Sequence, residues 1–130
     1  MLTLVIGGSA SGKSAFAERL AVQSGLPRFY VATMRVWDTE SERRVARHRD
    51  MRREKRFDTL ECPIGLDRLI LPARGTALLE DMGNLAANEL YDADGAKADA
   101  VSAILRGADR LHAQCAHLII VSNEVFRGGA

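Results

Sequence analysis

The sequence predicts an α/β fold, with a mostly parallel sheet lying between two layers of helices. Short, nearly continuous apolar runs alternate with longer segments of helical periodicity, the pattern of strands buried on both faces. The first apolar run ends in a glycine-rich loop that passes directly into a helix. The 130 residues are enough for one domain over 1–130 with its own core, and no repeat, low-complexity tract or linker interrupts them.

Leu2-Thr3-Leu4-Val5-Ile6 is the first strand, and the helix after the loop opens at Ala15-Phe16-Ala17. Arg28 to Thr33 is the second strand, entered through the breaker Gly25-Leu26-Pro27. Asp38 caps a helix that runs to about Lys55, with Ser41 as a competing cap. Thr76 to Leu79 forms a third strand after Pro72 and Gly75. Helices follow over Leu85–Tyr91 and Ala96–Cys115, and His117 to Ser122 is a fourth strand. Trp37 and Tyr91 are isolated aromatics expected to pack.

Gly7 to Ser14 reads GGSASGKS and fits the phosphate-binding pattern G-x-x-x-x-G-K-[ST]. The glycines let backbone N–H groups curl around phosphate oxygens, the lysine reaches the β/γ-phosphates, and the serine hydroxyl sits on Mg²⁺. The helix that follows aims its N-terminus at the anion. Together with the alternation, the loop predicts a P-loop NTPase-like (RecA-like) three-layer fold. The chain stops soon after the fourth strand, where a doubly wound sheet normally adds another helix and strand. The expectation is therefore a C-terminally incomplete fold, or one that closes its sheet by association.

Composition narrows the function classes. Hydrophobic residues make up 47% and charged residues 27% of the chain, as in ordinary soluble domains. No run approaches the roughly 18 apolar residues of a membrane span, and no secretory signal opens the chain, so a cytoplasmic protein is expected. Cys62 and Cys115 have neither metal nor redox spacing and read as ordinary reduced thiols. The net charge is +1 and aromatics are 5%, which argues against nucleic acid as a partner.

Leu78-Leu79-Glu80-Asp81 ends a buried strand in two carboxylates. Acids at such strand ends face the ligand crevice and hold Mg²⁺ in P-loop proteins, so Ser14, Glu80 and Asp81 are the candidate metal residues. A helix cap for the segment after Met82 is the structural alternative for the acidic pair. The second helix carries Arg43, Arg44, Arg47, Arg49, Arg52, Arg53, Lys55 and Arg56 around His48. A spacing of four sets Arg44, His48 and Arg52 on one face. Like charge disfavours the protonated imidazole and leaves a nucleophile, while arginines can hold a triphosphate. The alternative is a solvated basic helix with an incidental histidine. His112 and His117 read as structural or surface residues. Asn123 and Glu124 either contact a ligand or close the last strand.

Several segments together carry a family resemblance: Leu4 to Ser14, Tyr30-Val31-Ala32-Thr33, Arg44-Val45-Ala46-Arg47-His48-Arg49 with Arg52 and Arg53, Glu61-Cys62, Leu78-Leu79-Glu80, Asn88-Glu89-Leu90 and Val121-Ser122-Asn123-Glu124-Val125. They occur in family order from Met1 to about Arg127. The chain resembles the bifunctional adenosylcobinamide kinase / adenosylcobinamide-phosphate guanylyltransferase of cobalamin biosynthesis. The resemblance implies a GMP-histidine at His48, with Lys13 as the second catalytic residue. It implies nucleotide binding by Gly7, Gly8, Ser9, Ala10, Ser11, Gly12, Lys13 and Ser14. Thr33, Met34 and Arg35 would lie near the nucleotide, as would Arg49, Asp50, Met51, Arg52, Glu61 and Glu80. The implied substrates are adenosylcobinamide, GTP and ATP, with Mg²⁺ as cofactor. Family members form trimers, which implies a homo-oligomer, and they run about a third longer. Asp81 stands where the family commonly has cysteine, and Phe57 lies near a common tryptophan position. Two rival readings remain: a simple P-loop small-molecule kinase with the basic helix as a lid, and a nucleotide-binding remnant without turnover.

Overall fold

The computed structural model describes residues 1–7, 12–35 and 39–123. Five strands, β1 (Leu2–Gly7), β2 (Arg28–Ala32), β3 (Phe57–Glu61), β4 (Thr76–Glu80) and β5 (His117–Asn123), form one sheet in the order β1-β5-β4-β2-β3. All four neighbouring pairs are parallel. The helices are α1 (Lys13–Ser24), α2 (Thr39–Glu54), α3 (Met82–Tyr91) and α4 (Ala100–Gln114). The expected α/β class and parallel sheet are observed. Among the described residues no helix is long and apolar enough to cross a membrane.

The central strands are apolar because both their faces are covered. Along β4, Ala77 and Leu79 meet the α3 and α4 layer, whereas Leu78 meets α1. Leu85, Leu111, Leu118 and Ile120 extend the first core, and Ala17, Ala21, Ile119 and Val121 the second. Gly107 lets α4 lie against the turn at Leu66–Arg68, since a Cβ there would stand 2.7 Å from the Leu66 Cβ. Arg28, buried at the start of β2, donates to the carbonyls of Ala21, Val22 and Lys55. It thereby satisfies carbonyls that the ends of α1 and α2 leave without helical partners.

Four sequence expectations need correction. A strand at Phe57–Glu61 was not anticipated, so His117–Asn123 is the fifth strand and not the fourth. This strand lies at the sheet edge and is fully buried only at Phe57, so its polar residues hide the strand signal. Coverage on both faces fails at β1: Leu2, Leu4 and Ile6 are 53%, 56% and 60% exposed. Leu4 is in register with Ile120 under the α3 layer, but that layer stops short of β1, which packs against α1 on its other face. Tyr91 does not pack; it ends α3 at 79% exposure. Trp37, Asp38 and Glu124 lie outside the described residues, although α2 does begin immediately after Asp38. The third helix starts a turn earlier than expected because Asp81 caps it, accepting the Asn84 N–H at 2.6 Å.

Two neighbours on α3 tie the strand ends together. Asn88 donates both amide hydrogens, to the carbonyls of Thr33 (2.8 Å) and Pro63 (2.9 Å). Glu89 is 3% exposed and accepts the N–H groups of Gly65 and Ala96, each at 3.0 Å. Glu89→Leu leaves both N–H groups without an acceptor and is expected to cost about 2–4 kcal/mol of stability; Glu89→Gln, which keeps one acceptor, costs about half that. Urea denaturation measures both, and a loss below about 1 kcal/mol for the leucine variant would remove this structural role.

Candidate active site

The carboxyl ends of β2 and β4, the start of α1 and one face of α2 meet in a cleft. α1 begins at Lys13, and Gly12 caps it with φ 80°, a left-handed conformation that glycine adopts without steric cost. Lys13 is buried at the head of this helix. Ser14 follows and donates its hydroxyl to Glu80 Oε2. The other carboxylate oxygen of Glu80 accepts the Tyr30 hydroxyl at 2.8 Å. The two strand-end acids therefore divide their work. Glu80 faces the loop serine, while Asp81 Oδ1 caps α3.

α2 supplies the opposite wall. His48 and Arg52, one turn apart, line both halves of the cleft, each about 200 Å³. One half also takes in Tyr30, Met34, Glu61, Glu80 and Asp81. The other takes in Ser14, Met51, Lys55 and Glu80. His48 is exposed at the rim. Arg52 is only 7% exposed, with its guanidinium 3.6 Å above the Tyr30 ring. Burial, and next the charge of Glu80, push the Tyr30 phenol well above its ordinary range, so Tyr30 stays a donor to that carboxylate.

The cleft thus gathers Ser14, Met34, His48, Met51, Arg52, Glu61, Glu80 and Asp81 from the expected set. Gly7 ends β1 and lines a separate cavity with Gly12 and Lys13. Thr33 lies beneath the cleft, fully buried, with its hydroxyl donating to the Asp81 carbonyl and accepting the Asp81 N–H, both at 2.8 Å. Arg35 turns away to pair with Asp92 at 2.6 Å, and Asp50 pairs with Arg53. Arg49 forms a close ion pair with Glu61. Gly8, Ser9, Ala10 and Ser11 lie outside the described residues.

Tyr30 is the site residue that sequence reasoning missed. A phenol inside an otherwise apolar strand was the available signal, since a buried hydroxyl needs a partner. Cys62 and Cys115 are free and buried, and burial, then the charge of Glu89, pushes the Cys62 thiol up to about 11. His117 meets the hydroxyls of Thr3 and Ser24, tying β1 to α1, and burial lowers its pKa.

A parallel sheet with a P-loop serine facing a strand-end carboxylate defines a P-loop NTPase-like α/β protein. The family of cobinamide kinase / cobinamide phosphate guanyltransferase matches residues 3–130, and the chain belongs to that family of enzymes. It is similar to the bifunctional adenosylcobalamin biosynthesis protein CobP of Pseudomonas aeruginosa, 50% identical over 66 residues that make up 51% of this chain and 38% of that protein. It is 32% identical to CobU of Escherichia coli across 98% of this chain and 77% of that protein. With CobU of Salmonella typhimurium it shares 30% identity over the same fractions of the two chains. Both CobU proteins are likewise named bifunctional adenosylcobalamin biosynthesis proteins. The resemblance read from the sequence is the family that these comparisons give.

Proposed function

We propose that this chain carries out the two reactions for which its family is named. In the first, a cobinamide hydroxyl attacks the γ-phosphorus of ATP or GTP, the bond to the bridging oxygen breaks, and the nucleoside diphosphate leaves. In the second, His48 attacks the α-phosphorus of GTP and expels pyrophosphate. A phosphate oxygen of cobinamide phosphate then attacks the same phosphorus, the P–N bond breaks, and the imidazole is restored. The observation that carries the reading is the shared cleft, where His48 of α2 and Ser14 of α1 border one cavity with Glu80 and Arg52.

Each group has a physical part. Gly7 to Ser14 cradle the phosphates, with Lys13 on the β/γ-phosphates. Arg52, already fixed by Tyr30, offers a guanidinium to the triphosphate beside the nucleophile. Met34, Met51 and Glu61 border the space left for the nucleotide. Ser14 and Glu80 converge hard oxygen donors on one point, a donor set that suits Mg²⁺. When bound, the ion neutralises charge on the phosphates. Asp81 borders the same cavity, but its cap to α3 makes Glu80 the stronger candidate ligand.

Incubation with Mg²⁺ and GTP labelled at the α-phosphorus, followed by denaturation, tests the reading. Protein-bound label that acid releases and base does not is the expected result, because a phosphoramidate has that stability. Label supplied at the γ-position should stay off the protein. A folded chain that binds GTP yet retains no α-label would leave only a plain kinase or an inactive binder.

A further inference from the structure

α2 separates two cavities. His48, Met51, Arg52 and Lys55 border the nucleotide cleft, while Arg49 and Arg53, one turn apart, border a second cavity of about 580 Å³. The far wall of that cavity is β3, where Phe57, Asp58, Thr59, Leu60 and Glu61 all line it. Successive residues of a strand point to opposite faces, so a cavity that touches all five runs along the strand edge. β3 is the last strand of the sheet and pairs with β2 alone among the described residues. The cavity therefore has a row of backbone donors and acceptors as one wall and guanidinium groups as the other.

The two cavities share one lining residue. Glu61 lines both, and its ion pair with Arg49 stands at the junction. Arg49 Nε and the Thr59 hydroxyl have no hydrogen-bond partner among the described residues. Arg49 directly follows His48 in α2, so its side chain stands about 100° around the helix from that of His48 and opens on the neighbouring cavity.

We infer that the edge of β3, with Arg49 and Arg53, receives the acceptor substrate, a bulky phosphate monoester bearing peripheral amides. This rests on the proposed function, in which that acceptor is cobinamide phosphate. Two guanidinium groups suit a phosphate, which would draw Arg49 from Glu61 and Arg53 from Asp50. A free strand edge bonds amides as it would a neighbouring strand. Asp58 and Glu61 accept amide hydrogens, and Leu60 and Leu69 supply apolar contact.

Equilibrium dialysis of cobinamide phosphate against the full chain, without nucleotide, tests this. Wild type should bind it saturably, and Arg53→Glu should weaken binding about tenfold or more, whereas Arg53→Lys stays within about threefold. Arg53 is 72% exposed on its side chain, so neither change threatens folding. GTP affinity and labelling of His48 should stay within about twofold in both variants, because Arg53 borders only the second cavity. Undiminished binding by Arg53→Glu, or no saturable binding by wild type, overturns the assignment. So does a change of oligomeric state in Arg53→Glu without a change in corrinoid binding, which would give the edge to a second copy. Saturable, Arg53-dependent binding in a chain that never labels at His48 keeps the acceptor site and sinks the transfer reaction instead.

Discussion

Replacing His48 with alanine is expected to abolish covalent labelling by GTP while leaving GTP binding and phosphorylation of cobinamide close to wild type. The two reactions break different bonds. Transfer of GMP requires a nucleophile at the α-phosphorus, and His48 is the histidine that borders the cleft among the described residues. Transfer of the γ-phosphoryl group, as proposed, uses the loop, Lys13 and the carboxyl end of β4 and needs no nucleophile from the protein. His48 lies exposed at the rim, so its removal opens no cavity in the core. Labelled protein should fall to background, and the kinase rate should stay within about threefold. Arg52 sharpens the test. It is anchored by the Tyr30 ring and not by His48, so the alanine variant keeps its phosphate-binding guanidinium. Full labelling of His48→Ala would move the nucleophile elsewhere. Parallel loss of both reactions would instead make His48 part of the triphosphate site.

The legible and illegible parts of this protein separate by the range of interaction involved. The P-loop and the central strands are local facts. A glycine-lysine-serine spacing specifies its own turn, and β2, β4 and β5 are apolar because both faces are buried. The family could be read because its segments keep their order, each carrying enough local pattern to be matched. β3 could not be read, because an edge strand buries little and its Asp58 and Glu61 look like loop. The choice between Glu80 and Asp81 could not be made either. Both sit at the same strand end, and only the path of the chain into α3 turns one toward Ser14 and makes the other a cap. The link from Tyr30 to Glu80 and Arg52 joins residues 50 and 22 positions apart and leaves no periodic trace. The division of α2 into a cleft face and an edge face appears only once β3 is in place, since the run of arginines by itself reads as one basic surface.

Glu80→Gln should then lower both reactions together, by about two orders of magnitude, with the fold intact. The side chain is isosteric and only half-buried, so stability changes little. Its chemistry changes more. The carboxylate now accepts from Ser14 at one oxygen and from Tyr30 at the other. Glutamine keeps one acceptor and turns an amide N–H₂ toward the other hydroxyl, so one of the two bonds must reverse its direction. The charge that suits Mg²⁺ between Glu80 and Ser14 is lost as well, so the Mg²⁺ concentration needed for half-maximal rate should rise. Tyr30→Phe provides the control. It removes the hydroxyl from Glu80 but leaves the ring beneath Arg52, so a smaller loss of about tenfold is expected, with little change in Mg²⁺ dependence. The rates of γ-phosphoryl transfer and of His48 labelling, each followed against Mg²⁺, separate these cases. If Glu80→Gln runs both reactions at wild-type rates with an unchanged Mg²⁺ requirement, the carboxylate serves only to accept the Tyr30 and Ser14 hydroxyls. The metal would then have to be sought at Asp81.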